Sequence, residues 1–351
     1  MSMQEPPIDH LTREMVAKLV CDCTGASKVT RVQPMQTLWS GQGYIFRVYT
    51  EGTGSRSVVV KYIAPVNTTA HPRGWNTQAS FQRKMRSYEI ECHWYQHYAA
   101  CCPEQCTVPA LLALHTEEQR RILVLEDLSV DYPVLRSQLS VNEVSVCLSW
   151  LARFHATFLN VAAEGLWPEG CYWHLATRQD EYNKMQAGAI KEQAHRLDQC
   201  LRQARFQTLV HGDAKVANFC FDNDVKHVAA VDFQYVGAGC GIRDVVYLLG
   251  SCLSEHDCQQ HEVQLLDCYF EKLRQALSQR DELAQGDQQN DNKINASGFA
   301  SEIEAEWRSL YAIAWTDFYR FLLGWMPEHA KINRYTKLQA SRALAQLRSS
   351  Q

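Results

Sequence analysis

The chain has 351 residues, 46% hydrophobic and 21% charged, with a net charge of -4. That length suffices for one large domain or two lobes with separate cores, and the slight acidity argues against nucleic acid or an anionic membrane as the main partner. No run of about 18 apolar residues is present, so no membrane span is expected. Residues 1–10 lack the basic and apolar regions of a secretory signal.

The fourteen cysteines have no matched C-x-x-C pairs, so they read neither as a disulfide framework nor as structural zinc. They predict reduced thiols in a cytoplasmic protein, many of them packing as small hydrophobes.

In chain order, apolar residues at helical spacing (Leu11, Met15, Leu19, Val20) predict a helix over 8–23. Strand character follows over Lys28–Met35, Gly43–Tyr49 and Ser57–Ile63, with Gly52 and Gly54 in a hairpin turn between the last two. Residues 64–79 read as a long loop, and Phe81–Ala100, free of Pro and Gly, as a helix. Val108–His115 and Arg121–Glu126 predict two more strands. The second half reads as mostly helical, over Val141–Asn160, Arg178–Ala204, Ile242–Leu253 and His261–Leu277. A small β centre is expected at Thr208–Val210, Phe219–Phe221 and His227–Val231. The polar stretch Arg280–Asn295 reads as a flexible excursion, and closing helices are expected near Ser301–Trp325 and Ala330–Arg348, broken by Pro327. This order predicts an α+β, protein-kinase-like bilobal fold. It has a small β-sheet N-lobe with one helix (residues 1–126, nucleotide-binding) and a larger, mainly helical C-lobe (127–351, catalytic and acceptor-binding), with nucleotide between them.

The most informative stretch is His211-Gly212-Asp213-Ala214-Lys215-Val216-Ala217-Asn218. It reproduces the kinase catalytic loop H-R-D-x-K-x-x-N with Gly212 in place of the Arg. The Asp must accept the hydrogen bond of a substrate hydroxyl, and the Asn must turn back to a metal on the phosphates, so both belong on one tight loop. Asp213 is then the catalytic base, and Lys215 offers its ammonium to the transferring group. Further on, the apolar strand at Val228–Val231 ends in Asp232-Phe233-Gln234, in the place of the kinase D-F-G. Asp232 and Asn218 together suit Mg2+, which needs few protein oxygens beside those of phosphate.

The pattern H-G-D-x-x-x-x-N resembles the aminoglycoside phosphotransferase and choline kinase superfamily, and within it the CHK-kinase-like, or ecdysteroid-kinase-like, group. The resemblance extends to Glu126-Asp127-Leu128, Leu151-Ala152-Arg153-Phe154-His155, Asp232-Phe233-Gln234 and Gly239-Cys240-Gly241-Ile242-Arg243-Asp244. It spans roughly residues 35–330 and implies ATP as phosphoryl donor, with a small-molecule hydroxyl as acceptor.

Lys61 ends an apolar strand like the V-A-I-K lysine and is expected to hold the α- and β-phosphates. Glu89 and Glu91 are its candidate partners. They are two apart, so they face different sides of the helix and only one can serve. The group resembled shows a glutamate before an aromatic pair, and Glu91 precedes Trp94-Tyr95, which favours Glu91. Gly41 and Gly43, at the tip between the first two strands, permit close backbone approach to phosphate. Backbone groups from Leu125 to Leu128, Glu126 and Leu128 among them, are expected at the adenine edge. His155 and His211 read as packed histidines holding the loop, and Asp244 as a helix cap or a brace for it.

On the acceptor side, Asp317 and Trp315 lie in an aromatic helix and are candidates for holding an organic cation. The plainer reading of that helix is buried core. Only about a dozen residues separate Asp232 from Asp244, and no A-P-E follows, so a peptide-docking segment has little room. A small-molecule acceptor is therefore expected, whether choline-like, aminoglycoside-like, sugar or steroid-like. The alternative is a non-catalytic nucleotide-binding pseudokinase or scaffold, and GTP is as compatible with the residues as ATP.

Overall fold

The computed structural model describes residues 8–38, 41–52, 56–64, 78–285 and 291–349, with backbone alone for 281–285 and 291–297. The chain divides into two compact units, Met1–Ala100 with Val108–Asp131, and Cys101–Thr107 with Tyr132–Gln351. Cys101–Thr107 goes with the second unit because the Thr107 carbonyl accepts from Ala230 N at 3.1 Å and from Trp150 Nε1 at 3.1 Å.

In the first unit, helix α1 (His10–Thr24) is capped by Asp9, whose carboxylate accepts from Thr12 N at 2.8 Å. It ends at Gly25, left-handed at φ 72, whose N–H returns to Cys21 O. Strands β1 (Ala26–Thr37), β2 (Gly43–Gly52) and β3 (Ser57–Ile63) come next. Helix α2 (Gln78–His97) and strands β4 (Leu111–Glu117) and β5 (Arg120–Glu126) complete the unit. The strands form one antiparallel sheet in the order β1-β2-β3-β5-β4. Side chains alternate between its faces. Phe46, Val48, Val58, Val60, Tyr62, Ile122 and Val124 lie in one core cluster with Val16 and Val20 of α1. Each such valine contributes about 1.5–3 kcal/mol on burial. The same alternation turns Lys61, between Val60 and Tyr62, to the opposite face.

The second unit opens with β6 (Val134–Leu135) and α3 (Val141–Thr157), which starts in a capping box of Ser140 and Glu143. Short helices α4 (Gln179–Lys184), α5 (Ala189–Glu192) and α6 (Ala194–Arg202) follow. The β centre consists of β7 (Thr208–Val210), β8 (Phe219–Phe221), β9 (Val228–Ala230) and β10 (Gly237–Gly239). β7 pairs with β10, and β8 lies between β6 and β9. The rest is helical: α7 (Ile242–Cys252), α8 (Glu255–Gln285), α9 (Asp291–Ser309), α10 (Tyr311–Trp325) and α11 (Arg334–Ser349).

The expected fold class is borne out: a small antiparallel sheet with an inserted helix, then a larger helical unit holding a β insert. Three details differ. The helix expected over Arg178–Ala204 is three short helices: the first ends where Met185 turns extended, its carbonyl accepting from Lys191 Nζ at 2.6 Å, and the second and third are separated at Gln193. The excursion expected over Arg280–Asn295 is helical up to Gln285 and again from Asp291. β6 and β10 were not expected; each is a short run that exists only through its partner strand. Ser40, Gly54, residues 65–77 of the expected loop and residues 286–290 lie outside the described residues. Among the described residues no helix is long and apolar enough to cross a membrane.

Candidate active site

The loop from His211 to Asn218 leaves β7, turns through a 3-10 segment at Val216–Asn218 and enters β8. Asp213 is 4% exposed. Its Oδ2 accepts from Lys215 Nζ at 2.8 Å and from Asn218 Nδ2 at 3.1 Å. Its Oδ1 is buried and has no hydrogen-bond partner among the described residues. Burial raises the Asp213 pKa; Lys215 pulls it down and the charge of Asp232 pushes it up, with a net rise. For Lys215, burial works against the ammonium, but Asp213 and Asp232 outweigh it and raise that pKa.

Asn218 donates from its amide nitrogen to both the carbonyl and the carboxylate of Asp213, at 2.8 and 3.1 Å. Its amide oxygen accepts no hydrogen bond among the described residues. Asp232 sits two residues after the end of β9 with φ 70, a left-handed backbone that costs a non-glycine residue about 1–3 kcal/mol. Its surroundings hold it there. Val231 N donates to Asn218 O at 2.9 Å, and His211 Nε2 meets Val231 O at 3.0 Å. Phe233, fully buried, packs on His211 with ring centroids 4.6 Å apart. The Asn218 amide oxygen and the Asp232 carboxylate are oxygen donors of the kind that could hold Mg2+.

Helix α7 supports this loop at two points. In its first turn, Asp244 accepts from the backbone N–H of His211 at 2.6 Å and of Gly212 at 3.0 Å. One residue from its end, Ser251 Oγ accepts from Val216 N at 2.8 Å. Asp244 therefore braces the loop through backbone amides. His155 adds a third contact to Asp244 at 3.2 Å and meets Tyr269 OH at 2.8 Å, so it is a packed histidine behind the loop. Gly212 has φ 77, and a Cβ there would run into the carbonyl oxygen of Tyr235, which explains the Gly where protein kinases carry Arg.

In the first unit Lys61 meets Glu91 with both carboxylate oxygens, at 2.8 and 2.6 Å, and both residues are buried. Glu89 instead pairs with Arg86 at 3.2 Å and Arg121 at 3.1 Å on a more open side of α2. At Gly41, with φ 72, a Cβ would meet no described atom within 4 Å, whereas a Cβ on Gly43 would strike the Tyr62 carbonyl. Gly43 is thus required by the neighbouring strand, while Gly41 is required only by its own backbone angle. Glu126 N donates to Ala110 O at 2.9 Å, and the Leu128 carbonyl accepts from Asp131 N at 3.2 Å. The Leu128 N–H has no partner among the described residues. Asp127, between them, accepts from Arg47 Nε at 2.6 Å, Ser57 Oγ at 2.7 Å and Ser129 N at 3.1 Å. Burial alone would raise its pKa, but these donors lower it.

The acceptor candidates need correction. Asp317 is fully buried, and its carboxylate accepts from Arg320 Nε at 2.8 Å and Trp173 Nε1 at 3.0 Å, with Arg243 at 4.0 Å. Its charge is neutralised internally and has none left for an organic cation. Trp315 is core, its ring edge-on to Tyr335 at 5.2 Å. Arg243 also reaches Glu169 at 2.6 Å. Glu169, His174 and Asp198 bring ligand-type atoms within 4.8 Å of one another, but Arg243 and Arg202 already balance the two carboxylates. The aromatic wall beside the loop comprises other residues. Tyr172 N donates to Gly212 O at 2.8 Å, and Tyr247, Phe318 and Phe321 cluster with Trp173. Burial, and next the charge of Asp213, raise the Tyr247 pKa well above the usual phenol range. No spacing in the sequence marks Tyr247, because it sits in an ordinary apolar helix.

Fold and loop together define a molecule of protein-kinase-like class. Within that class, residues 170–281 match the model of the ecdysteroid kinase-like family, the group that the motifs resemble. No sequence among curated proteins matches the chain. Solved structures with similar folds include an aminoglycoside-3'-phosphotransferase of type VIII, 16% identical with TM-score 0.39, covering 79% of this chain and 93% of that one. The aminoglycoside phosphotransferase APH(3'')-Id from Streptomyces rimosus is 11% identical with TM-score 0.43, covering 87% and 99%. A Plasmodium vivax ethanolamine kinase is 10% identical with TM-score 0.45, covering 89% and 81%. None of these lends this chain a substrate or a residue role.

Proposed function

We propose that the protein transfers the γ-phosphoryl group of ATP to a hydroxyl of a small molecule, with Asp213 as the base. One observation carries this reading. Asp213 commits one carboxylate oxygen to Lys215 and Asn218 and leaves the other, buried, without a partner among the described residues. A fixed carboxylate with one free oxygen is what an acceptor hydroxyl needs for alignment.

In the proposed reaction the hydroxyl donates its hydrogen bond to Oδ1. As the oxygen bonds to the γ-phosphorus and the bond to the departing ADP breaks, the proton passes to Asp213. The raised pKa of Asp213 brings it nearer the value at which a base accepts that proton. Lys215 lies 2.8 Å from the same carboxylate and stabilises charge on the moving group. Lys61, oriented by Glu91, holds the α- and β-phosphates, with Gly41 and Gly43 offering backbone N–H groups. Glu126 and Leu128 offer backbone groups to the adenine. Asn218 and Asp232 hold Mg2+, which supplies charge neutralisation at the phosphates when bound. The fourteen free thiols fit a reducing, cytoplasmic setting.

The test is ATP turnover over a panel of alcohols, measured beside ATP binding for wild type and Asp213→Asn. Turnover that vanishes in the variant while nucleotide still binds supports the reading. Binding without turnover of any alcohol favours the scaffold alternative.

A further inference from the structure

The connection between α10 and α11 places a lysine against the aromatic wall beside the catalytic loop. Lys331 is held by its backbone on both sides: its N–H donates to His329 Nδ1 at 3.1 Å and its carbonyl accepts from Thr336 Oγ1 at 2.8 Å. Its ammonium lies over the rings of Tyr247 and Phe318, 5.3 and 5.6 Å from their centroids. No carboxylate pairs with it among the described residues. Tyr247 faces the catalytic loop, because it is one turn before Ser251 on α7, and Ser251 binds Val216 N. Tyr247 is also fixed from behind, with Trp173 and Phe318 at 4.7 and 5.1 Å.

An aromatic face attracts one cation at a time within about 6 Å. Here that position is already taken by the protein's own ammonium. We infer that Lys331 is a specificity-determining residue that repels positively charged acceptors, so that the alcohol presented to Asp213 carries no positive charge. The hydroxyl of that alcohol reaches Oδ1 of Asp213. Burial lowers the Lys331 pKa and Lys215 adds to that, while Cys252 and Asp213 act to raise it. Asp317 cannot offset it, since Arg320 and Arg243 consume that charge.

The inference rests on the reading that the acceptor meets Asp213, but its test does not need turnover. The probes are choline and its uncharged isostere 3,3-dimethylbutan-1-ol, titrated by tryptophan fluorescence into wild type, Lys331→Met and Lys331→Arg. Wild type and Lys331→Arg are expected to favour the uncharged alcohol by about tenfold or more, and Lys331→Met to bring the ratio near one or reverse it. The ratio is taken within each protein, so a partial loss of folded material does not move it. Equal affinities in wild type, or a ratio unchanged in Lys331→Met, overturn the inference. A preserved ratio with no phosphoryl transfer to any alcohol overturns the reading of function and leaves the charge filter standing.

Discussion

Gly212 donates its backbone N–H to Oδ1 of Asp244 at 3.0 Å, joining the loop after β7 to a helical residue 32 positions further along. His211 gives its N–H to the other oxygen of the same carboxylate at 2.6 Å. Two buried backbone donors thus depend on one side chain. Asp244→Ala leaves both unsatisfied, at about 1–3 kcal/mol each. The expected loss is about 2–6 kcal/mol in urea denaturation, and a loss below about 1 kcal/mol contradicts the bracing role.

The two left-handed glycines at the sites differ in their surroundings. Gly212→Ala brings a Cβ against the Tyr235 carbonyl as well as an unfavourable φ of 77, whereas Gly41→Ala, at φ 72, meets no described atom. Gly41→Ala is expected to cost about 1–2 kcal/mol from its backbone alone. Gly212→Ala is expected to cost clearly more. Similar urea midpoints for the two variants count against the close approach.

The Lys61–Glu91 pair is nearly fully removed from water, with side chains 6% and 2% exposed. Lys61→Met strands the Glu91 carboxylate, and breaking such a pair costs about 3–5 kcal/mol. The double variant Lys61→Met with Glu91→Leu removes both charges and is expected to recover most of that loss in thermal denaturation. Nucleotide affinity is expected to stay low in both variants, which separates the binding role from the structural one.

Asp213→Asn is expected to lower phosphoryl transfer by about 10²–10⁴-fold with nucleotide affinity held within severalfold. The raised pKa sets the sign of two pH effects. In the proposed reaction the ionised carboxylate is the acting form, so kcat/KM is expected to fall on the acid side at a pH above the ordinary aspartate value of about 3.9. Folding favours the protonated form, so ionised Asp213 weakens the fold above its folded pKa, and that penalty disappears as the pH drops below the unfolded value. Asp213→Asn is therefore expected to be at least as stable as wild type near neutrality. Asp127 acts in the opposite sense: its lowered pKa adds stability above the unfolded value, lost as pH falls through the folded one.

Much of this fold can be read locally. Val58, Val60 and Tyr62 alternate with Val59 and Lys61, and period-two alternation identifies both the strand and the face on which the lysine stands. The spacing of Asp213, Lys215 and Asn218 is short enough for one loop to bring them together. Other features had no local signal. Gly237-Ala238-Gly239 has no strand propensity and is a strand only because β7 pairs with it. Asp317 stands among aromatic residues in the chain as a cation site would. Its true partners are Trp173, 144 positions earlier, and Arg320, one helical turn later.

From sequence alone came the kinase-like order of elements, the loop from His211 to Asn218, and the expectation that one acid and one amide, Asp232 and Asn218, suit a metal. Each of these follows from residues close together in the chain, where backbone geometry is decided by a few neighbours. Only the tertiary structure decided that Glu91 and not Glu89 meets Lys61, that Asp317 is spent on internal arginines, and that Lys331 lies over Tyr247. Those outcomes depend on which groups the fold packs together, and a buried charge takes whichever partner packing brings within reach.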